Sequence, residues 1–280
     1  MPELPEVENI VRELRIRVIG KTIEDVRVYL KKMARPGPIK FSRMVKGNRI
    51  REVERLGKYI ILVLDRNQKP DPTYVVIHLK MTGQLLYRPK SQDRPDYVHV
   101  KFSFKGKGEL LYKDIRQFGF LHRMEQTEYH RWKTEQDLGP DPYELKPKDF
   151  VARLRARKGR VKPLLLNQRF IRGLGNIYVD ESLFAAGIHP LTHAIDISEE
   201  KCLRLHREMI NILTLAIHYK GSTISNFQAP NGQKGKFQDM HRVYRHHGEK
   251  CSECENIIQR IVVAGRGTHF CPKCQPASLV

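Results

Sequence analysis

Apolar residues in the first twenty positions recur at helical spacing. Val7, Ile10, Val11, Leu14 and Val18 share one face, and Gly20 marks the stop. Pro5 suits the first helical position, and Glu6 and Glu8 complement the positive end of the helix dipole. From about Thr22 to His122 the period changes. Short runs rich in Val, Ile, Leu, Tyr and Phe (DVRVYL, YIILVL, YVVIHL, YVHVKFSF, ELLYKD) alternate with Gly, Pro and Asn, which predicts the strands of a sandwich or barrel. Pro140, Pro142 and Pro147 cluster in LGPDPYELKPKDF and mark a linker. Beyond it the spacing is helical again. A short helix is expected to end in the turn Gly173-Leu174-Gly175, and a second is expected to be capped by Asn176 and closed by Gly187 and Pro190. A longer one opens at Ser198 and closes at Gly221, with Cys202, Leu205, Met209, Leu213 and Ile217 as its core stripe. Gly232 and Gly235 lie in NGQKGK, which reads as a mobile loop. The pattern sets domain boundaries at 1–132, a linker at 133–149, a helical domain at 150–237 and a ribbon at 238–280.

Cysteine spacing changes the picture at the C-terminal end. Cys251, Cys254, Cys271 and Cys274 form C-x2-C, a spacer of sixteen residues, and a second C-x2-C. That is the spacing of a structural zinc ribbon, with one Zn2+ held by four thiolates and no open position for a substrate; two disulfides are the alternative. Cys202 is left over and reads as a small buried side chain. Metal-claimed cysteines point to a reducing compartment.

Charge narrows the partner. The 280-residue chain carries Lys+Arg 51 against Asp+Glu 31, a formal net charge of +20. Such a field attracts polyanions, nucleic acid first and an anionic membrane surface second. No apolar run approaches roughly 18 residues, so no membrane span is expected. MPELPEVE, with its prolines and acids, is unlike a signal peptide. From Phe150 to Val179 there is no acidic residue, while Arg153, Arg155, Arg157, Lys158, Arg160, Lys162, Arg169 and Arg172 all fall there. A thirty-residue run that excludes acids predicts a surface that tracks phosphates.

Several segments together resemble the formamidopyrimidine-DNA glycosylase family of base-excision repair. MPELPEVE, RLGKYIILVL around Lys58, HLKMTG, DIRQFG, GLGNIYVDE and AGRGTHFCPKC occur in the order that family shows, and they span essentially the whole chain. The resemblance implies an α+β fold: an N-terminal β-sandwich with a leading helix, a C-terminal helix–two-turns–helix domain and a zinc ribbon. It implies a bifunctional DNA glycosylase and AP lyase that excises oxidised purines, 8-oxoguanine and formamidopyrimidines, from damaged double-stranded DNA and cleaves the strand by β,δ-elimination. A monomer working in the bacterial cytoplasm, at the nucleoid, follows from the same likeness.

Roles follow residue by residue from that resemblance. Pro2, exposed by removal of Met1, matches the family's nucleophile, and an α-amino group that titrates near pH 7.7–8.0 in model peptides is partly neutral at physiological pH. Glu3 matches the general acid/base, and Glu6 a second, structural or assisting carboxylate. Lys58 matches a lysine that contacts phosphate and aids catalysis. Met81, Arg116 and Phe118 match a triad that fills the vacancy when a base is extruded. Lys162, Asn176 and Arg266 match phosphate contacts, and Ser222–Gln238 would fold over the extruded purine. The chain departs from the family pattern at Lys80, Gln117, Asn167 and Ser225. Lys80 and Gln117 are expected to tune the opposite-base preference, and Ser225 the loop over the lesion. Two rival readings remain: an endonuclease VIII-like enzyme for oxidised pyrimidines, and a non-catalytic DNA-binding member of the fold.

Overall fold

The five residues of the first apolar stripe are all buried in α1 (Leu4–Val18). Its start is a reciprocal capping box: the Glu3 N–H donates to Glu6 Oε2 at 2.8 Å, and the Glu3 carboxylate accepts the Glu6 N–H. This computed structural model describes residues 1–65, 71–224 and 227–277, so Ser225 lies outside the described residues. The chain divides into two compact units, Met1–Asp137 with Tyr219–Lys236, and Leu138–His218 with Phe237–Val280. Residues 219–236, grouped by sequence with the helical domain, are thus part of the first unit.

In the first unit α1 is followed by β1 (Ile23–Val28), β2 (Ala34–Arg35), α2 (Pro38–Val45), β3 (Arg49–Leu56), β4 (Tyr59–Asp65), β5 (Thr73–His78), β6 (Gly83–Arg88), β7 (Val98–Phe104), β8 (Glu109–Asp114), β9 (Phe120–Glu125) and α3 (Gln126–Glu135). They form a β-sandwich. One four-stranded sheet runs β1-β7-β8-β6 and one five-stranded sheet runs β2-β9-β5-β4-β3. Val26, Phe102 and Tyr112 of the first meet Ile60, Leu62, Val75, Ile77 and Leu121 of the second in one core with the α1 stripe. The runs YIILVL and YVVIHL lack polar alternation because both faces of β4 and β5 are covered. Their second face is closed by α3, where Tyr129 stacks on Tyr74 with centroids 3.9 Å apart.

The second unit holds α4 (Pro147–Arg155), α5 (Val161–Leu166), α6 (Asn176–Ala186), α7 (Glu199–His218) and a hairpin of β10 (Gln259–Val263) and β11 (Arg266–Phe270). Two expectations are corrected here. The short helix ends at Leu166, well before the glycine turn, and Gly175 rather than Asn176 caps α6. The Asn176 amide bonds across to the hairpin instead of back to its own helix. Gly187 ends α6 in the left-handed conformation, as its position predicts. Cys202 is fully buried, and burial pushes its thiol up to about 11, so it is a core side chain. No helix among the described residues is long and apolar enough to cross a membrane.

Candidate nucleic-acid interface and active site

Strand register gathers the first group of predicted residues. Tyr59 pairs with His78, and His78 with Phe120, so β4 begins where β5 ends and β9 begins. Lys58 precedes Tyr59, Lys80 and Met81 follow His78, and Arg116 and Phe118 precede Phe120; all five therefore stand at one end of the sheet. The parallel pairing of Ala34 with Leu121 brings exposed Lys31 and Lys32 to the same end. Large apolar side chains are left in water there, Met81 at 44% and Phe118 at 56% exposure, with Ile115 at 40% at the start of the same loop as Phe118. The Arg116 guanidinium lies 4.8 Å from the Phe118 ring centroid.

The loops that carry them are pinned by a residue that sequence reading passed over. Asp114 has no exposed surface. Its carboxylate accepts the Thr82 hydroxyl at 2.5 Å, the Gly119 N–H at 2.8 Å and, weakly, the Tyr112 hydroxyl at 3.5 Å. Thr82 Oγ1 in turn accepts the Arg116 N–H at 2.9 Å. One buried carboxylate thus ties the Met81 loop to the Arg116–Phe118 loop. Gly119 permits this closeness, because a Cβ there would lie 1.9 Å from the Tyr112 hydroxyl and 2.6 Å from the His78 carbonyl. Burial, and then the Asp114 charge, raises the Tyr112 pKa, so the phenol stays a donor.

His78 is a second residue the sequence did not flag. Its Nδ1 accepts the Lys80 N–H at 2.9 Å. Burial, and then the nearby charges of Lys80 and Lys58, depress its pKa to about 3. The ring is neutral in any working buffer, and its proton therefore sits on Nε2.

Pro2, Glu3 and Glu6 are buried at the start of α1, and Met1 is 42% exposed. The helix packs against β3 and β4, the strands whose turn carries Lys58. Glu6 has a definite job here. Its Oε2 holds the Glu3 N–H, while its Oε1 accepts the Ser222 N–H at 2.8 Å. It thereby ties the end that bears Pro2 to the segment expected over the lesion. That segment is more constrained than its glycines suggested. Gly235 N–H bonds Thr223 Oγ1 at 2.9 Å, Lys236 N–H bonds the Tyr219 carbonyl at 2.8 Å, and Tyr87 N–H bonds the Pro230 carbonyl at 2.7 Å. Gly235 is needed because a Cβ would meet the Gly221 carbonyl at 2.1 Å.

In the second unit Asn176 and Arg266 come together. Arg266 is exposed at the start of β11, next to the tight turn of Ala264 and Gly265, both at positive φ. Asn176 Nδ2 donates to the carbonyl of the adjacent Gly267 at 2.8 Å. Lys162 departs from the expectation of a phosphate contact. It has no exposed surface, and its ammonium donates to Asp180 Oδ1 at 2.6 Å, Thr268 Oγ1 at 2.7 Å and the Gly267 carbonyl at 3.4 Å. A fully buried cation cannot remain unpaired, and this one is spent inside, under the Arg266 hairpin. The rest of the acid-free run sorts the same way. Arg155, Arg157, Lys158, Arg160 and Arg169 are exposed, whereas Arg153 bonds the Phe170 and Arg169 carbonyls and Arg172 pairs with Asp141 and Glu144.

The acids of GNIYVDE fasten the ribbon. Asp180 Oδ2 accepts the His269 N–H at 3.0 Å. Glu181 accepts three consecutive N–H groups, those of Arg242, Val243 and Tyr244, at 3.0, 3.1 and 2.8 Å. Burial nonetheless raises the Glu181 pKa above its ordinary value, since desolvation outweighs those bonds.

The four ribbon cysteines converge so that their sulfurs all lie within 4.8 Å of one another. Cys251 and Cys274 sulfurs are 3.9 Å apart, and those of Cys254 and Cys271 are 3.4 Å apart. A tetrahedral zinc with Zn–S near 2.3 Å requires sulfurs about 3.8 Å apart, whereas a disulfide requires about 2.05 Å. The donor set fits one structural Zn2+ held by Cys251, Cys254, Cys271 and Cys274, whose work is to hold the hairpin and so Arg266.

Three family models match in sequence order: formamidopyrimidine-DNA glycosylase N-terminal domain over residues 1–121, formamidopyrimidine-DNA glycosylase H2TH domain over 138–228, and a zinc finger found in FPG and IleRS over 248–277. A Bacillus cereus formamidopyrimidine-DNA glycosylase is 42% identical over 99% of both chains. Two solved complexes of the Lactococcus lactis protein superpose with a TM-score of 0.89 at 36% identity. One holds Fapy-dG containing DNA and covers 98% of this chain and 100% of its own. The other holds an oxidized pyrimidine containing DNA and covers 99% of this chain and 100% of its own. Matching domain for domain and at this identity along nearly its full length, the chain belongs to the formamidopyrimidine-DNA glycosylase family.

Proposed function

We propose that this protein is a bifunctional DNA glycosylase and AP lyase that removes oxidised purines from duplex DNA. The observation that carries the reading is the pair of pinned loops. Met81 and Phe118 are held half-exposed on two loops joined through one buried carboxylate, and side chains so presented suit insertion into a base stack. Met81 would fill the place of the extruded base, Phe118 would wedge the stack, and Arg116 would hydrogen-bond the orphaned partner base. Lys58 would hold a phosphate of the lesion strand, and Asn176 and Arg266 would hold others.

In the proposed reaction, loss of Met1 leaves Pro2 as a secondary amine. Its nitrogen lone pair attacks C1′, the bond from C1′ to the base breaks, the bonding pair leaves with the base, which takes a proton from solvent, and the Pro2 N–H proton passes to Glu3. Glu3 protonates the ring oxygen as the sugar opens, giving an iminium between C1′ and the Pro2 nitrogen. That iminium acidifies the C2′ proton. Its removal expels the 3′ phosphate, and a second elimination expels the 5′ phosphate. Glu6 would act on this chemistry through position, by fixing the Glu3 backbone.

A second reading, action on oxidised pyrimidines, has one observation in its favour: the Lactococcus lactis relative has been solved with an oxidized pyrimidine containing DNA. A protein with this task works as a monomer in the bacterial cytoplasm, where the chromosome is. The test is borohydride trapping on a duplex with 8-oxoguanine opposite cytosine, with the adduct located by mass spectrometry. A covalent product on the Pro2 nitrogen is expected. Tight binding without adduct or cleavage, by protein shown to lack Met1, would overturn the purine lyase reading; a panel of oxidised pyrimidines would then separate the second reading from a non-catalytic binder.

A further inference from the structure

The face of the five-stranded sheet that α3 covers ends in a row of rings. Tyr59 pairs with His78 and His78 with Phe120, so the three side chains stand next to one another on one face. Their ring centroids are 4.6 Å apart from Tyr59 to His78 and 6.0 Å from His78 to Phe120. The row begins at the turn that bears Lys58. Only Gly57 and Lys58 join β3 to β4, and the turn stands on the pair of Leu56 with Tyr59. Tyr59 is therefore the residue whose placement sets where Lys58 begins.

Helix α3 has the composition of a solvated helix: QTEYHRWKTE buries Tyr129 alone. Its last turn nonetheless grips Tyr59 twice. The Trp132 ring meets the Tyr59 ring edge-on, with centroids 5.1 Å apart and planes at 87°, and the Tyr59 hydroxyl donates to Gln136 Oε1 at 3.0 Å. Trp132 and Gln136 are four residues apart and so lie on one side of the helix. Trp132 is itself backed by Tyr129, with centroids 5.9 Å apart. Burial raises the Tyr59 pKa, so the phenol keeps the proton it donates. Covering the sheet would need only an apolar side chain, whereas an edge-on ring and a hydrogen bond to the same phenol also fix its orientation. We infer that Trp132 and Gln136 are positioning residues for the glycosylase reaction, acting through Tyr59 to fix the turn from which Lys58 reaches the lesion strand. The inference rests on the glycosylase reading above. A two-residue turn has no slack, so a shift of Tyr59 passes directly to Lys58.

The test is single-turnover excision from an 8-oxoguanine duplex by variants of the full chain, with enzyme in saturating excess and well below its unfolding midpoint. Under those conditions a loss of stability or of affinity alone leaves the rate unchanged. Trp132→Ala removes the ring, Trp132→Phe keeps one, and Gln136→Leu removes the acceptor of the phenol. Misplacement by about 1 Å can cost on the order of a hundredfold in rate, so a loss of roughly ten- to a hundredfold is expected in Trp132→Ala. Gln136→Leu should lose less, and Trp132→Phe should recover most of the rate. In a Lys58→Ala background Trp132→Ala should slow the reaction no further, because both changes act at one place. Gln136→Leu decides the question should Trp132→Ala fail to fold, and Trp132, the one tryptophan of the chain, reports by its emission whether the ring stack is intact there. Wild-type excision by folded variants, or losses that multiply with that of Lys58→Ala, would overturn the inference and leave the glycosylase reading standing. Failure of the unsubstituted protein to release any oxidised base would bring down that reading, and this one with it.

Discussion

Replacing Asp114 should show how far the placement of Met81 and Phe118 depends on one buried carboxylate. In Asp114→Ala the Gly119 N–H loses its partner in a site closed to water, and the Thr82 hydroxyl loses its acceptor. A buried unsatisfied donor costs about 1–3 kcal/mol. The Thr82 hydroxyl can turn toward solvent and counts for less, and the bond from Tyr112, at 3.5 Å, is weak. Together they give about 2–4 kcal/mol of lost stability, read from urea unfolding at neutral pH. Asp114→Asn keeps the shape, with an oxygen for Gly119 N–H and an amide that can donate to Thr82 Oγ1, so about 1 kcal/mol is expected. The functional effect should exceed the stability effect. Loops released by a fraction of an ångström misplace Met81 and Phe118, and misplacement of about 1 Å can cost on the order of a hundredfold in rate. Single-turnover excision from an 8-oxoguanine duplex, with enzyme in excess and well below its unfolding midpoint, would measure this. Excision at the wild-type rate by a folded Asp114→Ala protein would refute the idea that this carboxylate sets the loops.

Three further expectations follow from separate parts of the molecule. Cys271→Ser should release zinc, unfold the 248–277 ribbon and weaken DNA binding together, because the metal supplies folding free energy there; metal analysis with far-UV dichroism checks it, and a zinc-free, folded, fully binding variant would contradict it. Lys162→Met should destabilise by about 3–5 kcal/mol by stranding the Asp180 carboxylate, and adding Asp180→Leu should recover much of that loss; a harmless single substitution in urea unfolding would argue against a buried pair. His78, held at about 3 against an ordinary 6.5, is depressed in the folded state, so its contribution is complete above about pH 6.5 and is lost as pH falls toward 3. That loss is on the order of 4 kcal/mol by pH 3, and His78→Gln should flatten the pH dependence of stability between pH 6.5 and 4.5; parallel curves for variant and parent would rule His78 out.

The sequence was most readable where one periodicity faced one core. The α1 stripe and the long helix stripe are both buried as expected, and the uninterrupted runs of β4 and β5 are covered on both faces. Helix α2 was hidden because its burial rests on Phe41 and Val45 alone, too little to establish a period in eight residues. Strand β3 was hidden by its charges and by a register shift between Ile50 and Glu52. Glu181 looks like an ordinary acid in one dimension, since its partners are backbone N–H groups that carry no residue identity, and Asp114 does because its partners Thr82 and Gly119 meet it only in the fold. Lys162 misled for the opposite reason. It sits in a basic run, and only the fold places Asp180 and Thr268 around its ammonium. The N-terminal octet did signal Glu6, but nothing local could signal a bond to Ser222.

That last bond bears on the order of synthesis. Glu6 leaves the ribosome long before Ser222, so one of its oxygens waits for an N–H that lies 216 residues further on. The first unit likewise takes in residues 219–236, after the chain has already traversed the helices of the second. A nascent chain can assemble the sandwich strands early, but the carboxylate that fixes the Glu3 backbone lacks its Ser222 bond until that residue has emerged. Contacts of such long sequence separation form late, since loop closure must precede them. The end that would carry the nucleophile is therefore completed late, so a chain terminated before Ser222 would present sandwich strands without a completed N-terminal anchor.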